Sequence, residues 1–140
     1  MGSINMKGVV IGGLLAGLII NISETILNVP VLGADMEAAM KALNLPPVGG
    51  GAISGFVVGG FGLGVLLVWL YAAIRPRFGA GPKTATTTAV AVWLLAYVWP
   101  ALGMGLTGVM PLRLLTIATI WGLAEVVVAA LAGGWFYKEA

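Results

Sequence analysis

Cysteine and histidine are both missing from this chain of 140 residues. Their absence removes disulfides, thiolate nucleophiles, imidazole acid/base chemistry and the common ligands for zinc, haem iron, copper and iron–sulfur clusters. Charge is also scarce: seven basic and five acidic residues make up 9% of the chain, against about 25% in an ordinary soluble domain. So few scattered charges do not make a nucleic-acid interface. At this length, nothing is left over for a soluble catalytic domain once the apolar segments are counted.

Those apolar segments dominate the rest. The chain is 60% hydrophobic with a mean hydropathy of +1.07. A helix rising about 1.5 Å per residue crosses a bilayer core of about 30 Å in roughly twenty residues. Four segments are long enough, near 7–28, 52–74, 84–106 and 112–137. The expected fold is therefore all-α, an integral membrane four-helix bundle forming a single domain over 1–140. Lys7 before the first apolar run raises the question of a secretory signal. The small-residue site at Val31, Leu32 and Gly33 lies too far past the apolar centre for ordinary cleavage, so a retained helix is expected.

The longest connector spaces Met36, Met40 and Leu43 on one helical face, with Glu37 and Lys41 as an i,i+4 pair. It predicts a short amphipathic helix near 35–44, flat on the membrane interface or packed over the bundle mouth; a solvated connector is the plainer alternative. The connector RPRFGAGPKT carries Arg75, Arg77 and Lys83 among prolines and glycines and reads as a basic turn. Pro100 in the third span frees the carbonyl of Ala96 and predicts a kink. With four spans, Lys7, Arg75, Arg77, Lys83 and Lys138 share one side, and the positive-inside rule places both termini in the cytoplasm. No internal duplication is evident.

Glycines mark the expected helix contacts. Gly8 and Gly12, Gly13 and Gly17, and Gly55 and Gly59 form small-xxx-small pairs that allow close backbone approach without a hydrophobic drive. In the first span Gly13, Gly17, Asn21, Glu24 and Asn28 gather on one face. In the fourth, Ala118, Gly122, Glu125, Ala129 and Gly133 do the same, with a carboxylate at the centre of the stripe.

Intramembrane carboxylates are costly and need partners. Counting 1.5 Å per residue from Lys7 puts Glu24 about 25 Å up, level with Arg113 entering the fourth span. A structural Glu24–Arg113 ion pair is expected there. Glu125 lies about 18 Å deeper than Arg113, which leaves Trp93, Tyr97, a threonine, water or a group from another subunit or ligand as its partner. As a buried acid without a cation it is expected to be neutral unless water enters. Glu125 with Asn21, Asn28, Trp93 and Tyr97 is the candidate functional set; the plainer reading is a buried acid that fixes helix register.

The stretches LLAGLIINISETILN, VWLYAAIRPRFGAGPKTA and WGLAEVVVAALAGGWFYKE resemble a group of small four-span bacterial membrane proteins of unassigned function. The resemblance implies a bacterial inner-membrane location and recurrent polar positions at Glu24, Arg75, Pro76, Arg77 and Glu125. It implies no reaction, substrate or cofactor.

The sequence thus points to a non-catalytic accessory or scaffold subunit, packed by its glycine faces against other membrane subunits or its own copies. The alternative is a small oligomeric transporter or channel for protons, cations or a small solute, using Glu125. No cofactor is required. The spare apolar faces leave room for bound lipid, quinone or pigment, and a dedicated porphyrin ligand is disfavoured by the lack of histidine. A lipid-modifying enzyme lacks a nucleophile or metal site beside either glutamate.

Overall fold

A computed structural model describes residues 2–139. Among them, six α-helices follow in order: α1 (Met6–Ile26), α2 (Gly33–Ala42), α3 (Gly50–Phe78), α4 (Pro82–Trp93), α5 (Trp99–Leu106) and α6 (Leu112–Phe136). A π-helical turn over Leu27–Val31 extends α1, and a second over Leu94–Val98 joins α4 to α5. Four continuous helical stretches are long and apolar enough to cross a membrane: Met6–Val31, Gly50–Phe78, Pro82–Leu106 and Leu112–Phe136. This is the fold of a multi-pass membrane protein.

The helices run further than the sequence pattern indicates. Pro30 sits inside the first π-turn, where Leu32 N–H donates to the Leu27 carbonyl. The wider ring lets the helix absorb a residue that cannot donate. The basic connector is partly helical too: α3 continues through Arg75, Pro76 and Arg77 to a Gly79 cap with φ 86°. Two cations in a last helical turn suit the negative end of the helix dipole. At Pro100 the expected kink takes the form of a π-turn, with Trp99 N–H reaching the Leu94 carbonyl.

Helix α1 lies at the centre, packed along α3 and α6, while α4 packs against α6 and α3. Two glycine contacts set these distances. A Cβ on Gly64 would fall on the backbone of Gly13 and Gly17, and one on Gly12 would lie 2.6 Å from the Gly133 carbonyl oxygen. In lipid, where apolar side chains gain little by leaving their surroundings, such backbone approach is what holds helices together. Around it Val9, Ala16, Ile20, Val68, Val126 and Ala129 are fully or almost fully buried.

The basic residues gather at one end of the bundle, where polar contacts join three helices. Asn5 caps α1 by accepting from Gly8 N–H and donates through Nδ2 to the Lys138 carbonyl at 2.9 Å. Asn5 N–H in turn reaches the Tyr137 hydroxyl. Tyr71 and Tyr137 meet edge to face, and the Arg75 guanidinium lies 5.6 Å from the Tyr137 ring centre and 3.9 Å from Glu139. Arg75 is therefore a tie between α3 and the chain end as well as a topological charge; Arg77 and Lys83 are exposed. Gly8 belongs to this cap, with Asn5 and Tyr137 as its near neighbours.

At the opposite end α2 packs against the end of α1 and the start of α6. Ala39 packs with Leu27, Leu32 and Leu114, and Arg113 Nη1 donates to Asp35 Oδ2. The first half of α3 protrudes: positions 50–59 are exposed throughout. Its tie to α1 there is Asn21 Nδ2 donating to the Val57 carbonyl at 3.1 Å.

Candidate intramembrane carboxyl site

Two contacts set the register between α1 and α6: the close pass of Gly12 and Gly133, and Trp121 Nε1–H donating to Ser23 Oγ at 2.9 Å. They place Glu24 about level with Trp121, and Glu125 roughly a turn nearer the basic end. In a helix every Cα–Cβ bond tilts toward the N-terminus. Because α1 and α6 are antiparallel, Glu24 leans toward the basic end and Glu125 leans away from it. The two tilts turn these side chains toward one another along the α1–α6 seam, and Ser23 lines the same groove as Glu125.

This arrangement replaces the expected ion pair. Arg113 stands above the Trp121 level by about 12 Å at 1.5 Å per residue, and it bonds Asp35. Glu24 Oε2 instead accepts from Asn28 Nδ2 at 2.8 Å, and the same amide donates to the Glu24 carbonyl. The simple depth count failed because it assumed equal entry levels for the two helices. Their real offset follows from where the glycines let the backbones cross.

The third span supplies the other wall. The Tyr97 hydroxyl donates to Glu125 Oε1 at 2.6 Å, a contact made possible by Gly122, whose Cβ would overlap the Tyr97 ring. Tyr97 lies within the π-turn before Pro100, and such a turn re-aims a side chain relative to a regular helix. Trp93 donates to the Thr119 carbonyl at 2.7 Å, so it braces α4 on α6 without touching the acid. Asn21 faces α3 and Asn28 serves Glu24; neither bonds Glu125.

Glu125 is 4% exposed, yet its Oε2 has no hydrogen-bond partner. The residue lines an open groove of about 580 Å³ between α1 and α6, with Ile19, Ser23, Ile117, Ile120, Trp121, Ala124 and Val128 as the remaining walls. The site is thus a buried carboxyl group with one unpaired oxygen, in the wall of a greasy cleft. Chemically it can receive a cation or an N–H or O–H donor. Ser23 and Trp121 escape sequence reading because nothing in their own spacing marks them; the nearest signal is the Ser-Glu dipeptide on the polar face of α1.

Of the glycine pairs expected to pack, Gly12, Gly13, Gly17, Gly122 and Gly133 meet neighbouring helices, while Gly55 and Gly59 face open space with nothing within 4 Å. Comparison with protein-family models, with characterised proteins and with solved structures finds no match for this chain.

Proposed function

We propose that this chain is a non-catalytic accessory or scaffold subunit of a bacterial inner-membrane complex, with both termini in the cytoplasm, α2 at the outer interface, and assembly through the protruding half of α3. The observation that carries this reading is the contrast between two sets of glycines. Gly13, Gly17 and Gly64 interlock inside the chain, whereas Gly51, Gly55, Gly59 and Gly62 are open, with no atom near where a Cβ would sit. Glycine weakens a helix and its value in a membrane lies in close helix contact. An open run of it fits a helix from another subunit or a second copy. The exposed Trp99, Leu102 and Leu106 of α5 add apolar surface for lipid or protein neighbours.

Purification in mild detergent followed by native mass spectrometry tests it. The expected result is a larger assembly from which Gly55→Leu and Gly59→Leu release a folded monomer. A wild-type chain that is already monomeric in the membrane overturns the reading.

A second reading has its own support in Glu125. An orphaned acceptor oxygen beside Glu24, near mid-depth, is a feature that carboxyl-dependent transport of protons, cations or a small solute would use. Reconstituted wild type should then show a flux that Glu125→Gln abolishes; equal flux in both removes this alternative.

A further inference from the structure

We infer that the groove between α1 and α6 is a binding site for a lipophilic ammonium ion, an amine or quaternary ammonium with one long hydrocarbon tail, whose head lies at the Glu125 end of the groove. Glu125 is buried to 96%, the complement of its 4% exposure, and its Oε2 is unpartnered in the wall of the groove. Tyr97 already donates to Oε1, and the Trp121 N–H goes to Ser23, so neither of these ring donors is available to Oε2. Among the described residues no Lys or Arg stands at this level: Arg113 is engaged by Asp35, and the cations of the other end cluster around Tyr137 or in the exposed turn. A buried carboxyl group without a cation complements a positive charge supplied from outside the chain.

The groove also has room for a tail. Val128 also borders a second hollow of about 370 Å³ on the outer face of α6, with Leu131, Ala132, Trp135 and Phe136. From Val128 to Phe136 is about 12 Å along the helix. An ordinary phospholipid does not suit the site, because Glu125 lies about 20 Å from one end of α6 and about 17 Å from the other, beyond the reach of a headgroup held at the interface. A partner helix suits it poorly as well. Its rim is built of Ile117, Ile120, Trp121 and Val128, whose bulk keeps a second backbone at a distance, where helix docking calls for small residues.

The inference requires neither assembly nor transport, although it would supply the transport reading with a ligand. Binding without flux leaves this site in place and removes transport, whereas proton flux without ammonium binding does the opposite.

The test is saturable binding of radiolabelled dodecyltrimethylammonium to the full chain in phosphatidylcholine nanodiscs, with dodecylamine and dodecanol as competitors. Wild type should bind saturably and dodecylamine should compete, while dodecanol, with the same tail and no charge, should not. Glu125→Gln, which keeps the shape and the Tyr97 bond, should weaken binding by about tenfold or more. Val128→Trp fills the groove where its two hollows meet and leaves the carboxyl group intact; since Val128 is exposed, the core tolerates it, and binding should be lost. Wild-type binding in both variants, or equal competition by dodecanol, overturns the proposal. So does a cross-link in native membranes from Ile120→Cys to a second polypeptide seated in the groove.

Discussion

Tyr97 and Gly122 form one unit at the residue scale. The ring lies where any side chain at 122 would stand, and its hydroxyl satisfies one oxygen of a buried acid. Tyr97→Phe should leave the bundle folded and cost about 0.6 to 2 kcal/mol in reversible unfolding in detergent. Its more direct signature is a shift of the Glu125 carboxyl band in the infrared spectrum, identified by its loss in Glu125→Gln. An unmoved band would show that the two groups do not meet. The same scale separates two kinds of glycine. Gly64→Ala places a methyl group on the backbone of Gly17 and should destabilise by about 2 to 3 kcal/mol as an overpacking change. Gly55→Ala meets nothing and should leave the stability of the isolated chain unchanged or slightly raised.

At the scale of elements, α2 is held to the ends of α1 and α6 by Ala39 in its apolar cluster and by the Asp35–Arg113 contact. Both members of that pair are well exposed, so their coupling in a double-mutant cycle should be at most about 1 kcal/mol. Exchanging them, Asp35→Arg with Arg113→Asp, should restore what either single change loses. The exchange of Glu24 and Arg113 should restore nothing, and recovery there would contradict the register described above. The π-turns show how local sequence and tertiary demand meet. Pro30 and Pro100 make a regular helix impossible at known positions, but whether the chain kinks, stops or widens its ring depends on the neighbouring helices. In the third span the wider ring leaves Tyr97 against α6.

At the scale of the molecule, five basic residues gather at one end of a bundle whose four long helices alternate in direction. The orientation proposed from them has a clean chemical test, because a chain without cysteine accepts single reporters. Ala80→Cys, in the turn between α3 and α4, should react with an impermeant maleimide only from the cytoplasmic side, and Val48→Cys, before α3, only from the opposite side. Reversed labelling would overturn the orientation and the placement of α2 at the outer surface.

Composition and apolar run length by themselves determined that this chain is helical, has four segments long and apolar enough to cross a membrane, and carries a carboxylate among small residues in the last of them. These follow from local physics: the backbone must satisfy its hydrogen bonds within each segment in lipid, and helical period alone sorts Gly122, Glu125, Ala129 and Gly133 onto one face. Tertiary structure decided which charges meet. Axial offset and rotation between helices are set by the places where backbones can touch, Gly12 on Gly133 and Gly64 between Gly13 and Gly17, and no single helix carries that information. An offset of a turn or two was enough to give Arg113 to Asp35 and to bring Glu24 beside Glu125. It left one oxygen of a buried acid without a partner, beside a groove that only the packed pair of helices creates.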